Sequence, residues 1–289
     1  MLTPIWSPPV ISLTPISYPL GYSRRVRYEE GYRFVFVAVV AGIVIGLVLG
    51  ALGGGGSILA VPVLVYLLHQ SAHASTTESL VVVGTTALVA TLSHHRRGNV
   101  RWGQGLLFGI LGAVGTWAGG LLSQQIRPRL LLQLFAGLLV VVAVMMWRKT
   151  VARRARAASR PAETSWTPRR ALKVLLTATA VGLLVGFFGV GGGFAVVPAL
   201  VLALDTPMTV AVGTSLLVIA VNSATALLGR LGSGAALDWG VVIPFTVAAA
   251  LASLAGGQLA ARLPQRILAR SFAVILVLVA GYMLVRSAG

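Results

Sequence analysis

The feature that most constrains this chain is a glycine-rich segment that occurs twice inside strongly apolar sequence. The first copy runs from Gly46 to Val65 and the second from Gly182 to Val201, at a constant offset of 136. The two windows share ten identical residues in twenty, of which five are glycines and one is a proline. A match of this kind indicates an internal duplication.

Each glycine run is expected to break a helix and to leave backbone N–H groups without partners. In hydrocarbon such groups cost several kcal/mol each, so a break is tolerated only where protein or a water-filled cavity surrounds it. The two breaks are therefore the first candidates for a substrate site.

The composition places the chain in a membrane. Its 289 residues are 57% apolar and 10% charged, with a mean hydropathy of +0.90. A soluble domain carries about 25% charged residues. The fold class predicted is all-α, a polytopic membrane protein in a lipid bilayer. The absence of cysteine excludes disulfides, thiolate metal sites and cysteine nucleophiles.

The net charge of +17 comes from basic residues that cluster in short loops between apolar segments. Because positive loops remain on the cytoplasmic side, the central connection is predicted to be cytoplasmic and a nucleic-acid partner is not expected. Nine basic residues occupy or border this connection, opposed only by Glu163: Arg148, Lys149, Arg153, Arg154, Arg156, Arg160, Arg169, Arg170 and Lys173.

The duplication extends to nearly everything after residue 35. Gly84-Thr85-Thr86 matches Gly213-Thr214-Ser215 at an offset of 129, and Ala118-Gly119-Gly120 matches Ala255-Gly256-Gly257 at 137. Four regions follow: a Pro-rich disordered or surface tail (1–33), transmembrane repeat 1 (34–147), a basic linker (148–171) and transmembrane repeat 2 (172–286).

Each repeat holds five apolar segments, of which the second is too short to cross a membrane. Ile58–Leu68 and Phe194–Leu204 have eleven residues each, whereas a spanning helix needs about 20. If they continue the preceding helix past the break, each repeat crosses four times. If they form re-entrant hairpins or separate crossings, the number is odd and the repeats are inverted. The sequence predicts eight to ten membrane helices and leaves this choice open.

A glycine-rich turn that enters a short helix presents free N–H groups and a positive helix end, which suit an anion. The first predicted turn consists of Gly53, Gly55, Gly56 and Ser57, and the second of Gly189, Gly191, Gly192 and Gly193. The competing interpretation is close helix packing at small residues. It is preferred for the glycines that precede the turns, namely Gly46, Gly50, Gly182 and Gly186.

Neutral polar side chains in the third segment of each repeat are the next candidates, because hydroxyl and amide donors bind oxyanions without a buried charge. Hydrogen bonding between helices, or to the preceding turn, is the alternative. The residues are Thr85, Thr86, Thr214, Ser215 and Asn222.

The remaining ionisable residues are interpreted as structural. His94 and His95 are predicted to form a solvated helix end, and Glu78 and Asp205 to cap helices. Because the sequence shows no Ser/His/Asp array, phosphate-binding loop or paired carboxylates, neither enzymatic activity nor a cofactor or metal is expected.

The duplicated Gly-x-x-Gly-x-Gly-Gly, with a proline six residues on, the Gly-Thr-Thr or Gly-Thr-Ser motif and Ala-Gly-Gly, resembles the sulfite exporter TauE/SafE family. The resemblance covers about residues 35–286. It implies permeases, mostly of the bacterial inner membrane, that move sulfite, sulfoacetate and related sulfur-containing organic anions, often outward.

The family's glycine motif falls on Gly53, Gly55 and Gly56 and on Gly189, Gly191 and Gly192, with Pro62 and Pro198 behind them. The four-glycine run of the first copy departs from the second, which has Val190. The function predicted is secondary transport of a small sulfur-containing anion by alternating access around the two breaks. The alternative is a non-transporting membrane scaffold or assembly factor, and an intramembrane enzyme ranks third.

Overall fold

The computed structural model describes residues 23–68, 70, 72–123, 128–155, 168–188, 193–228 and 237–288, and in these ranges it contains helices and links but no strand. The helices are α1 (Ser23–Leu52), α2 (Ser57–Pro62), α3 (Ala72–His95), α4 (Trp102–Ser123), α5 (Pro128–Ala155), α6 (Pro168–Phe188), α7 (Gly193–Leu202), α8 (Met208–Leu228), α9 (Trp239–Arg262) and α10 (Gln265–Ala288).

The predicted all-α polytopic membrane fold is confirmed. In the described part, five helices contain stretches long and apolar enough to cross a membrane: Val35–Leu52, Ala74–His95, Met208–Leu228, Trp239–Arg262 and Gln265–Tyr282. Large apolar side chains point outward from several helices, among them Trp117 at 72% exposure and Leu278 at 66%. Such a surface suits contact with lipid.

Helix α1 packs along α9 at very short range, and glycines permit the approach. A Cβ built on Gly46 would overlap the backbone of Ala249, and one built on Gly50 would overlap the backbone of Ser253. Because both residue numbers rise together along the contact, α1 and α9 run in the same direction. The predicted packing role of Gly46 and Gly50 is confirmed.

Helix α6 packs along α4 through residues that correspond to those of the first pair. A Cβ on Gly182 would lie 2.6 Å from the carbonyl oxygen of Gly112, and these two residues match Gly46 and Ala249 at offsets of 136 and 137. The packing role of Gly182 is thus confirmed as well. The side chain of Gly119 would meet Leu183 and Phe187, so α4 and α6 also run in the same direction.

The third helix of each predicted repeat fixes the remaining directions. Near the start of α3, Glu78 accepts a hydrogen bond from Asp238 at the start of α9, so α3 runs with α9. In contrast, Gly84 contacts Ser223 and His94 contacts Gly213, so α3 and α8 are antiparallel.

Two groups of helices result, with α1, α3 and α9 running one way and α4, α6 and α8 the other. A side chain on Gly105 would meet Thr214 and one on Gly109 would meet Val221, which aligns α4 with α8. Corresponding helices of the two predicted repeats therefore run in opposite directions. The odd, inverted arrangement that the sequence left open is the one observed.

The short second segment reverses the chain instead of continuing α1. Because α1 and α3 run the same way, the chain between them must return to the end at which α1 began. A hydrogen bond of 3.4 Å from Gln70 Nε2 to Asp238 Oδ2 places the end of this segment beside the start of α9. Helices α1 and α2 are thus a re-entrant hairpin.

Helix α1 begins at Ser23, within the region predicted as the tail. The helix therefore extends further toward the N-terminus than the apolar pattern indicated, because the polar residues before Phe34 carry no apolar signal. Residues 1–22 and the predicted turn at 189–192 lie outside the described residues.

Candidate functional site

The first helix break is set by the backbone of Gly53. Its φ of 72° and ψ of −117° lie in a region that favours glycine, and its N–H still donates to Leu49 O at 2.8 Å to close the last turn of α1. A 3₁₀ turn over Gly54–Gly56 then leads into α2 at Ser57. Because the first N–H groups of a helical segment have no partner inside it, the break leaves free donors.

The two predicted breaks meet each other in the structure. A Cβ on Gly54 would overlap the carbonyl oxygen of Gly193, and one on Gly193 would overlap Ser57 Oγ. Both glycines are buried. The start of α7 therefore lies directly on the first turn, an arrangement that requires glycine on both sides.

Helix α8 completes the surroundings of the first turn. A Cβ on Gly53 would lie 2.5 Å from Ser215 Oγ and 3.2 Å from a methyl group of Val197. The structure thus brings Gly53, Ser57, Gly193 and Ser215 together at one place, here named the break junction.

The other two glycines of the first turn face different surroundings. A Cβ on Gly56 would lie 2.7 Å from that of Leu49 and 2.9 Å from Ile45 O, so Gly56 packs against α1. A Cβ on Gly55 would meet only ordinary contacts, the closest being the ring edge of Phe272 at 3.7 Å. Gly55 is therefore the member of the turn with room for a methyl group.

Of the second predicted turn, Gly193 is described, whereas Gly189, Gly191 and Gly192 lie outside the described residues. The ring of Phe194, which follows Gly193, packs edge-on against Phe135, with centroids 4.9 Å apart. Phe135 matches Phe272 at an offset of 137. Because α6 and α8 also run in the same direction, α6 and α7 form a second hairpin. Each hairpin has an aromatic side chain from the last helix of a repeat against it.

Two hydroxyl groups of the junction donate to their own helices. Ser57 Oγ donates to Gly54 O at 2.8 Å, and Ser215 Oγ donates to Val212 O at 2.8 Å. This is the back-bonding that the sequence offered as the alternative to ligand binding. In these positions the two oxygens retain acceptor capacity, while their protons are already used.

The remaining polar candidates occupy distinct environments on α3 and α8. Thr214 Oγ1 accepts a hydrogen bond from the Arg101 N–H at 3.2 Å, which leaves its own O–H to donate. Thr86 is fully buried and its hydroxyl has no partner, whereas Thr85 is exposed. Asn222 lies beside Gly112 of α4, and its Oδ1 is buried without a partner.

The interpretation of His94 as a solvated helix end is wrong. His94 is 2% exposed, and its Nε2 lies 3.0 Å from Gly50 O in the last turn of α1. The carbonyls of a last turn have no intrahelical partners, so an Nε2–H donor caps one freed by the break. Its Nδ1 is buried without a partner. His95 is exposed as predicted.

Arg97 is a second residue that the sequence interpretation missed. Its Nη1 donates to the carbonyl of Gly257, which also lies beside His94, so a guanidinium reaches from the end of α3 to α9. In the sequence, His94 and Arg97 follow directly after an apolar segment. A helix end in water has the same pattern, so the sequence did not distinguish the two cases.

Glu78 and Asp205 were predicted to cap helices. Glu78 does not, whereas Asp205 takes the left-handed position after α7, where the Thr206 N–H donates to Leu200 O at 3.0 Å and closes the end of that helix. Glu78 lies inside α3, fully buried, and Asp205 lies in the link before α8 with a φ of 50°. The cap of α9 is Asp238, whose Oδ1 accepts from Gly240 N at 3.0 Å. Pro62 ends α2 just before the π-helical turn Val63–Leu67, and Pro198 is buried inside α7, so neither proline begins a short helix.

The residues that contact the first turn carry no formal charge among those described. Apolar side chains, backbone carbonyls and two serine hydroxyls surround it. Since both serine hydroxyls already donate their protons, the donors that remain for a small polar or anionic ligand are backbone N–H groups, and these described residues offer no nucleophile–base pair.

Comparison with known proteins agrees with this architecture. The family model described as "Sulfite exporter TauE/SafE" matches residues 38–283. A "Probable membrane transporter protein" of Xylella fastidiosa is 33% identical over 257 residues, covering 88% of this chain and 96% of that protein. YdhB of Bacillus subtilis, which carries the same description, is 30% identical over 175 residues, covering 61% of this chain and 70% of that protein. No solved structure matches the chain.

Re-entrant hairpins that meet inside an all-α bundle are typical of polytopic membrane transporters, and the relatives are described as such. Since the family model matches far more than half of the sequence, the chain belongs to the sulfite exporter TauE/SafE family.

Proposed function

We propose that this protein is a secondary transporter that exports small sulfur-containing anions, such as sulfite or organosulfonates, by alternating access around the break junction. The observation that carries the proposal is the contact of Gly54 with Gly193, which joins two oppositely directed hairpins at one place. Transporters with inverted repeats commonly bind substrate where such broken helices meet.

The chemistry of the junction supports an anion with several acceptor oxygens. The N–H groups at the starts of the 3₁₀ turn and of α7 are the donors that we assign to the anion, and α7 directs the positive end of its dipole toward the junction. The unpaired hydroxyl of Thr86 and the O–H of Thr214 are the neutral side-chain donors that we assign to the anion. Gly189, Gly191 and Gly192 are proposed to supply the equivalent N–H groups of the second turn.

The basic residues support an orientation. The ends of α3 and α9 and the starts of α4, α6 and α10 lie at one end of the bundle. We place this end in the cytoplasm, on the inner face of a bacterial inner membrane, because positively charged loops remain inside. It carries Arg96, Arg97, Arg101, Arg169, Arg170, Lys173, Arg262, Arg266 and Arg270.

Counterflow of labelled sulfite in proteoliposomes tests the proposal. Wild-type protein should exchange internal sulfite for external label, and Thr86→Val, which removes a buried hydroxyl without a partner, should slow the exchange without loss of folded protein. Thr85→Val on the exposed face of α3 is the control and should exchange normally. No counterflow by folded wild-type protein, with sulfite or with a small organosulfonate, would favour the scaffold alternative.

A further inference from the structure

Glu78 is the one carboxylate within the five candidate spans of the described residues. Its side chain has no exposed surface, although it lies in the second turn of α3. Ionisable groups inside membrane spans are costly and commonly mark paths for protons or ions. The sulfur-anion site proposed above makes no use of this residue.

The two oxygens of Glu78 have different surroundings. Oε1 accepts a hydrogen bond from the backbone N–H of Asp238 at 3.1 Å, whereas Oε2 is buried without a partner. Ser75 Oγ, three residues earlier and on the same helix face, is also buried without a partner. An ionised carboxylate has acceptors only, whereas a proton bound at Oε2 makes this oxygen a donor, and a hydroxyl such as that of Ser75 can pair with either form.

The residue that donates a hydrogen bond to Glu78 is exposed to solvent. The carboxylate of Asp238 is exposed and accepts from Gly240 N and from Gln70 Nε2. Of the charged groups on elements packed here, Asp238 of α9 faces Glu78, Gln70 is neutral, and the side chains of His69 and His73 lie outside the described residues. Glu78 is therefore in contact, through a backbone N–H, with a residue whose side chain lies in solvent, and this end of α9 is where a proton can reach the buried carboxyl.

The position also connects Glu78 to the parts that alternating access requires to move. The link after the first hairpin, α3 and the start of α9 all meet at Asp238, and α9 packs along α1 up to the first break. A hydrogen bond to an ionised acceptor is stronger than one to a neutral acceptor. Protonation of Glu78 would thus weaken its hold on α9.

We propose that Glu78 binds and releases a proton in each transport cycle and so couples anion movement to the proton gradient; this rests on the proposed transport function. The carboxylate takes a proton at Oε2 and becomes a neutral carboxyl, and loss of that proton restores it. No other bond changes. A hard metal cation needs six or more oxygen ligands, and the partners described for Glu78 do not supply such a set.

The test uses the full chain in proteoliposomes with a pH-sensitive dye inside. Wild-type protein should show proton flux that depends on sulfite and sulfite accumulation driven by a pH gradient. Glu78→Gln should reduce both to the level of protein-free liposomes, while labelled sulfite counterflow at equal pH continues. Glu163→Gln, the same chemical change in the linker, should behave as wild type.

The outcomes separate this proposal from the function on which it rests. If wild-type protein shows no counterflow, the proposed transport function fails, and the role of Glu78 fails with it. Counterflow with unchanged proton coupling in Glu78→Gln, or with a requirement for a sodium gradient, overturns the role of Glu78 alone. If Glu78→Gln does not fold, wild-type protein treated with dicyclohexylcarbodiimide, which attacks protonated carboxyls, decides the matter. Labelling of Glu78 that slows as pH rises supports the proposal, and no labelling at any pH overturns it.

Discussion

The two halves of the molecule agree in how their helices pack and differ in the polar groups that they place around the breaks. The contact of Gly46 with Ala249 has its counterpart in that of Gly182 with Gly112. His94, however, corresponds to Ser223 at the offset of 129. The structure supports this correspondence, because His94 of α3 lies against Gly213 of α8 and Ser223 of α8 lies against Gly84 of α3.

A serine at the place of His94 reaches much less far from the helix. The carbonyl of Gly50 therefore has an imidazole cap at the first break, and the sequence has no equivalent group for Gly186. Glu78 likewise corresponds to Pro207. Steric requirements and the threonine and serine hydroxyls thus repeat in the two halves, whereas the imidazole of His94 and the carboxylate of Glu78 occur in one, which gives an otherwise symmetric bundle two unlike sides.

The largest expected effect concerns the inversion itself. Because α3 and α8 are antiparallel, the links that follow them should face opposite sides of the membrane. Single cysteines at Arg96 and at Ser233 should therefore be labelled by an impermeant reagent from opposite sides, each in an all-or-none manner. A cysteine at Ser159 in the linker should share the side of the one at Arg96.

The chain offers a low background for this measurement, because it contains no cysteine. Labelling of positions 96 and 233 from the same side would contradict the inverted arrangement. Labelling of position 159 from the periplasm would reverse the orientation proposed above.

The next prediction compares two neighbouring glycines of the first turn. Gly54→Ala should destabilise the protein by about 3 kcal/mol, because the new methyl would overlap the Gly193 backbone and the two hairpins would have to separate. Gly55→Ala should have little effect, since its methyl has ordinary contact distances. Thermal unfolding in detergent would measure both effects. Equal stability of the two variants would contradict the close contact between Gly54 and Gly193.

A smaller effect is expected from the cap that only one half has. His94→Leu leaves the buried Gly50 carbonyl without a donor and should cost about 1–3 kcal/mol of stability. His94→Gln, which restores an N–H donor, should recover part of the loss. Ser223→Ala is the matched change in the other half, and an equal loss there would show that the two halves are capped alike.

The smallest effect concerns two adjacent threonines of α3. Thr86→Val removes a buried hydroxyl without a partner and should weaken sulfite binding by about 1 kcal/mol, whereas Thr85→Val on the exposed face should not change it. A site of dipoles and hydroxyls should bind sulfite with about 4–6 kcal/mol, in the high micromolar to millimolar range. Flux titration measures this affinity, and a nanomolar constant would place the anion elsewhere.

The sequence by itself determined the membrane class, the apolar segments, the helix breaks and the packing role of Gly46, Gly50 and Gly182. These properties follow from local physics. Long apolar runs indicate segments that are stable in lipid. Glycines indicate where a helix can break or where two backbones can approach closely. The family motif added the class of cargo that the proposal adopts.

Only the tertiary structure decided the direction of the chain after each break, because one glycine dihedral and distant packing turn α2 back along α1 instead of onward. It also brought Gly54 to Gly193, and it buried His94 and Glu78 against α1 and α9. The partners of these residues are distant in sequence: Gly50 lies 44 residues from His94, and Asp238 lies 160 from Glu78. A polar residue near the end of an apolar segment has the same local pattern whether water or another helix faces it, so its role depends on the neighbour that the fold supplies.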